Sequence, residues 1–140
     1  MHPNLILFTA PYAAAIGLLA AGLAINVIVN RVKTGVDFGD GGHASLAKAI
    51  RAHGNLTEHA PIALLLIALA ELIGSPSTMI HVLAAALVVA RLASAYGLLS
   101  AQTQTPGRQL GASLTILVDV VASVLIFYRV VTMMAGGSGA

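Results

Sequence analysis

The uncharged stretch from Pro3 to Asn30 is the strongest constraint on what this chain can fold into. It exceeds the roughly 20 apolar residues that a helix needs to cross a bilayer. It lacks the basic first segment of a signal peptide, and it is too long for the apolar core of one, so it reads as a spanning helix. The rest of the chain has the same character. Hydrophobic residues make up 58% of the 140 and charged residues 9%, against about 25% charged in an ordinary soluble domain. So few charges cannot cover a water-facing surface. The expected fold is an all-α integral membrane protein, a bundle of four transmembrane helices forming a single domain over residues 1–140.

The breaks between helices are legible in the residues. The first helix is expected over about 4–30, with Pro11 bending it near one end and Arg31 and Lys33 stopping it at the surface. The glycines of Gly39-Asp40-Gly41-Gly42 cannot continue a helix comfortably. A second helix follows over about 45–73, with a bend at Pro61. Gly74-Ser75-Pro76 marks a tight turn, with Ser75 as the expected N-cap and Pro76 as the first residue of a third helix over about 76–100. Thr105-Pro106 repeats that start for a fourth helix over about 106–134, and residues 136–140 read as a loose tail. Arg31, Lys33, Lys48, Arg51 and Arg108 lie near the first and third loops, whereas Arg129 lies toward the other side. The positive-inside rule therefore puts those two loops in the cytoplasm and both termini across the membrane.

Composition also excludes chemistry. There is no cysteine, so no disulfide or thiolate metal site is available, and any thiol nucleophile must arrive on a substrate. A net charge of +2 gives no sign of nucleic-acid binding. His53 and Glu58 are five apart, off the spacing that would put two metal ligands on one helical face, and no metal is expected. Asn55-Leu56-Thr57 matches a glycosylation sequon, but it falls inside a helix on the cytoplasmic side.

The second helix carries the unusual residues. Arg51, Asn55 and Glu58 fall within about 60° of one another on a helix, with Lys48 on the flank of that face. His59 lies at the edge of the stripe, and His53 points to the opposite side. Lys48 and Arg51 can extend to water from a helix end. Asn55 and Glu58 lie one to two turns deeper, where ionisable groups are costly and mark a functional site or pathway. On the fourth helix, Asp119 sits mid-membrane at about the depth of Arg91 on the third. A buried ion pair between them is expected, with a structural role.

The run Arg51-Ala52-His53-Gly54-Asn55-Leu56-Thr57-Glu58-His59-Ala60-Pro61 resembles the signature of the MAPEG family, the membrane-associated proteins in eicosanoid and glutathione metabolism. The basic end of helix one, the Gly-Asp-Gly-Gly loop and Arg91-Leu92 ahead of Tyr96-Gly97 agree with it, and the likeness is closest to bacterial members. The resemblance implies a homotrimer of four-helix subunits that binds glutathione between neighbours near the cytoplasmic face of a bacterial inner membrane. By the same resemblance, Arg51, Asn55 and Glu58 hold the charged and polar groups of glutathione. Arg31 and His53 match positions that reach it from the adjacent subunit, and Arg108 matches the arginine that stabilises its thiolate. The sequence departs from the family where His59 replaces a common Tyr, Ser94 a Tyr or His, and Leu98 an aromatic residue. His59 and Ser94 are kept as binding positions, and Tyr96 as the nearest remaining aromatic.

Three functions follow. The favoured one is a glutathione-dependent transferase or peroxidase acting on lipophilic electrophiles or lipid hydroperoxides, with glutathione as co-substrate. The second is a non-catalytic homologue that binds and presents lipids. The third, outside the family, is a small proton-coupled exporter using Glu58, although Glu58 comes with Arg51 and lies away from the midplane that alternating access requires.

Overall fold

The computed structural model describes residues 6–100 and 106–137. Among these, four helices follow one another: α1 Ala10–Thr34, α2 Ala44–Leu72, α3 Ser77–Leu99 and α4 Pro106–Gly137. All four are long and apolar enough to cross a membrane. The chain is an all-α integral membrane bundle, as its composition requires. Each helix packs on its neighbour in sequence, α2 also meets α4, and α1 touches α3.

The helix ends show where local chemistry outweighed pattern. Helix α1 starts at Ala10, later than the apolar run suggests, and Pro11 lies in its first turn. There a proline removes no intrahelical bond, so the expected bend has no cause. Glu71 on α2 governs this start. Its carboxylate accepts from the backbone N–H of Phe8 at 2.7 Å, from that of Thr9 at 2.8 Å, and from the Thr9 hydroxyl at 2.5 Å. A carboxylate from another helix thus satisfies donors that a helix start leaves free. At the other end, α1 runs on through Arg31 and Lys33 to Thr34 and stops at Gly35, whose φ of 67° is left-handed.

Helix α2 runs through Pro61 without interruption. Ser75 does not cap α3; Pro76 takes that position, and the Ser75 hydroxyl is buried with no partner among the described residues. The reason is that Ser75 belongs to the end of α2. Its N–H donates to Ala70 and that of Gly74 to Glu71, closing the helix around Gly74 at φ 76°. Arg129 of α4 then donates to the Gly74 carbonyl at 2.8 Å. Helix α4 continues to Gly137, past the expected end and into the expected tail. Thr105 lies outside the described residues.

Two packed clusters fill the bundle. One joins α2, α3 and α4 around Ile67, Ile80, Leu87 and Val118; the other joins α1, α2 and α3 around Ile16, Leu23, Leu56 and Ala95. Alanines recur in both, including Ala52, Ala60, Ala63 and Ala84. Lipid tails are as apolar as these side chains, so burial here gains close packing rather than escape from water, and small residues allow it. Only Ile16 and Leu23 of α1 are buried, which leaves most of that helix free to meet lipid or another subunit.

Candidate functional site

The polar stripe of α2 forms as the spacing requires. Buried positions Ala49, Ala52, Leu56, Ala60 and Ala63 define the packed face of the helix. Arg51 and Glu58 fall away from it and are about half exposed, at 53% and 52% of their side chains. The Arg51 guanidinium donates to both oxygens of Glu58, at 3.1 and 3.2 Å. Beside the pair lies a groove of about 290 Å³, lined by Ala47, Ile50, Arg51, Gly54 and Glu58 of α2 and by Gly39 and Asp40 of the first loop.

That loop is held over α2 by Arg31. Its guanidinium donates to the carbonyls of Val36 and Gly39, each at 3.1 Å. Within one protomer Arg31 therefore shapes the loop wall of the groove. Asp40 adds a turn of its own by accepting from the Gly42 N–H at 2.9 Å. Gly41 has φ 55°, and a Cβ there would come within 2.7 Å of Val36.

Asn55 is half-buried on the opposite flank of Arg51, under α3. Its side-chain oxygen accepts from Arg91 at 3.3 Å. Arg91 is itself buried, at 1% exposure. It also donates to the Gly111 carbonyl at 2.9 Å, to the Ser94 hydroxyl at 3.4 Å and to the Thr115 hydroxyl. Gly111 permits this node, since a Cβ there would lie 2.6 Å from the Ala90 carbonyl and against the Ser94 hydroxyl.

The expected ion pair between Arg91 and Asp119 is not formed. Uncharged oxygens of α2, α3 and α4 surround the guanidinium instead. One Asp119 oxygen is buried without a hydrogen-bond partner among the described residues, although Asp119 lies within electrostatic reach of His59 and Arg91. Equal depth on antiparallel helices placed the two residues near each other, but the side chain of Arg91 turns toward Asn55.

The remaining expected positions divide. His59 is exposed on the Asn55 flank, within electrostatic reach of Asp119. His53 is half-buried off the stripe. Arg108 is exposed at the start of α4, with no hydrogen bond or ion pair among the described residues. It shares a face of α4 with Asp119, since eleven residues bring a helix back to within about 20°. Ser94 is buried and committed to Arg91 rather than open to a ligand. Tyr96 is 78% exposed, and at two residues from Ser94 it is turned about 160° away. It is not brought to the stripe of its own protomer. Arg91 and Glu71 were the structural anchors that pattern alone undervalued. Their signal was an ionisable residue inside an apolar helix with no oppositely charged residue one turn away.

The Arg51–Asn55–Glu58 stripe on a four-helix membrane bundle, with a loop-walled groove beside it, defines a small integral membrane protein with a polar face on its second helix. The chain belongs to the MAPEG family, whose family model matches residues 9–128. It is similar to the inner membrane protein YecN of Escherichia coli strain K12 and to the protein of that name in Escherichia coli O6:H1. Each is 37% identical over 89 residues, covering 64% of this chain and 68% of the relative.

Proposed function

We propose that this MAPEG protein is a glutathione-dependent transferase or peroxidase that acts on lipophilic electrophiles or lipid hydroperoxides dissolved in the bilayer. The observation that carries the reading is the exposed Arg51–Glu58 pair at 3.1 Å on the edge of the groove. Glutathione has two carboxylates and one ammonium. Arg51 suits a carboxylate, to which a guanidinium can bond through two N–H groups, and Glu58 suits the ammonium. With no ligand, the two side chains satisfy each other; a zwitterionic ligand can replace each partner with one of the same charge.

The absence of cysteine makes the thiol of glutathione the nucleophile. In a transfer, its sulfur forms a bond to the electrophilic carbon as the leaving group departs. In a peroxidase reaction, two glutathiones become a disulfide while the hydroperoxide becomes an alcohol and water. Both start from the thiolate, which a nearby cation favours. Arg108 supplies that cation, at a helix start whose dipole also favours an anion. The protein belongs in a bacterial inner membrane with its first and third loops cytoplasmic, and it works as a homotrimer. The exposed flank of α1 supports this assembly, as does His53, which lies off the stripe of its own protomer.

A second reading, a non-catalytic protein that binds and presents lipids, draws on the commitment of Ser94 to Arg91 and on the outward Tyr96. An apolar groove of about 450 Å³ between α3 and α4 also supports it. An exporter is disfavoured, because a proton-coupling Glu58 would have to release Arg51 in each cycle. Calorimetry with glutathione on the detergent-purified protein separates the first two readings. The enzyme reading expects saturable binding; heat with lipid alone and none with glutathione supports presentation.

A further inference from the structure

Asn55 is the one member of the stripe whose side chain is tied to a neighbouring helix. An amide can present either its oxygen or its NH₂ group to a ligand, and the two recognise opposite partners. A guanidinium has donors and no acceptor. The contact from Arg91 at 3.3 Å therefore requires the Asn55 oxygen to face α3. The NH₂ group makes no hydrogen bond among the described residues, and it is not among the fully buried unpartnered atoms. It is left as an unpaired, incompletely buried donor on the flank of Arg51.

Arg91 is held too firmly to release this constraint. It is buried, and the Gly111 carbonyl and the hydroxyls of Ser94 and Thr115 fix its other terminal nitrogen. Thr115 is anchored in turn, through its hydroxyl, to the same Gly111 carbonyl at 2.8 Å. The close approach of α3 and α4 at Gly111 is thus transmitted through one guanidinium to the orientation of one amide on α2.

We infer that Arg91 is a positioning residue for the binding face: it locks Asn55 with its NH₂ group outward, so that Asn55 recognises an acceptor oxygen of the ligand, such as a carboxylate or an amide carbonyl. This rests on the reading of the stripe as the glutathione-binding face. On that reading, Arg51 and Asn55 form a donor pair for oxygen, and Glu58 alone accepts.

The test uses the full chain in detergent and S-hexylglutathione, a ligand that cannot react through its thiol. Asn55→Asp keeps an oxygen toward Arg91 but replaces the outward donor with an acceptor, and should weaken binding by about tenfold or more. Arg91→Lys removes the fork geometry that sets the amide and should weaken binding by about fivefold. Ile80→Ala opens a cavity in the α2–α3–α4 cluster eleven residues along α3 from Arg91, and should leave affinity within about twofold even where it lowers the melting temperature as much as Arg91→Lys does.

The Asn55 side-chain NH₂ signal in asparagine-labelled protein, assigned by its loss in Asn55→Asp, gives a readout without ligand. It should shift or broaden in Arg91→Lys and stay put in Ile80→Ala. Tighter binding by Asn55→Asp would overturn the inference, as would affinity that simply follows melting temperature across the variants or an NH₂ signal indifferent to Arg91→Lys. If the wild type fails to bind S-hexylglutathione while the NH₂ signal responds as expected, the glutathione reading fails and the Arg91–Asn55 lock stands without that ligand.

Discussion

Arg51 and Glu58 pair at 3.1 Å although they are seven residues apart on one helix. Seven residues rise about 10 Å along the axis, so both side chains must lie along the helix to meet. Gly54 lies beneath them, and even a Cβ there would sit at an ordinary contact distance of 3.7 Å from a Glu58 oxygen. The pair occupies the surface that a charged ligand would need.

Removing either partner should therefore harm binding more than folding. Arg51→Ala and Glu58→Gln are each expected to weaken glutathione binding by about tenfold or more, because each leaves a charged ligand group without its partner. Stability should change by no more than about 1 kcal/mol, as for other exposed ion pairs. Titration calorimetry and thermal melts on the same samples check both halves. Unchanged affinity in both variants would move the site elsewhere.

The trimer should be visible by mass analysis in detergent as three copies of the chain. Helix α1 buries only Ile16 and Leu23 within the protomer, so its remaining apolar surface is available to a neighbour. A monomer that still binds glutathione at full affinity would show that no second subunit is required.

Orientation can be read with a single introduced cysteine, since the chain has none. Phe38 in the first loop is the better position, at 92% exposure, because a side chain at Gly41 would strain against Val36. Phe38→Cys in intact cells should resist a membrane-impermeant thiol reagent and react after lysis. Ready labelling in intact cells would reverse the topology drawn from the basic residues.

The geometry around Arg91 ranks two couplings. Arg91→Ala combined with Thr115→Val should depart further from additivity than Arg91→Ala combined with Asp119→Asn, since Arg91 bonds to Thr115 and makes no ion pair with Asp119. Unfolding free energies of the two double-mutant cycles decide it. The larger coupling to Asp119 would mean that the ion pair forms in the membrane.

How much of this was legible depended on range. The spans and most breaks follow from residues that act on their own backbone: Gly74 ends α2, and the first loop falls at Gly39 to Gly42, whereas Gly35, which stops α1, was passed over for the basic residues before it. The Arg51–Asn55–Glu58 stripe was legible because a single helix fixes it. Contacts between helices were not. Ser75 was assigned to the wrong helix because a cap and a terminator use the same residues. The start of α1 was placed too early because Glu71, some sixty residues on, sets it. Register brought Arg91 to the depth of Asp119, but it could not say which way a long side chain turns.

The state of the glutathione thiol on the protein tests the central claim most directly. Arg108 is exposed at the start of α4 with no hydrogen bond or ion pair among the described residues, and it is the cation assigned to the sulfur. The measurement is the ultraviolet thiolate absorbance that appears when glutathione is added at neutral pH, followed against pH in the wild type and in Arg108→Ala. A thiolate signal in the wild type is expected, with the apparent thiol pKa rising in the variant while its affinity for S-hexylglutathione changes little. Bound glutathione with no thiolate signal in the wild type would contradict the enzyme reading, and an unshifted thiol pKa in Arg108→Ala would leave Arg108 as an anchor at the membrane surface.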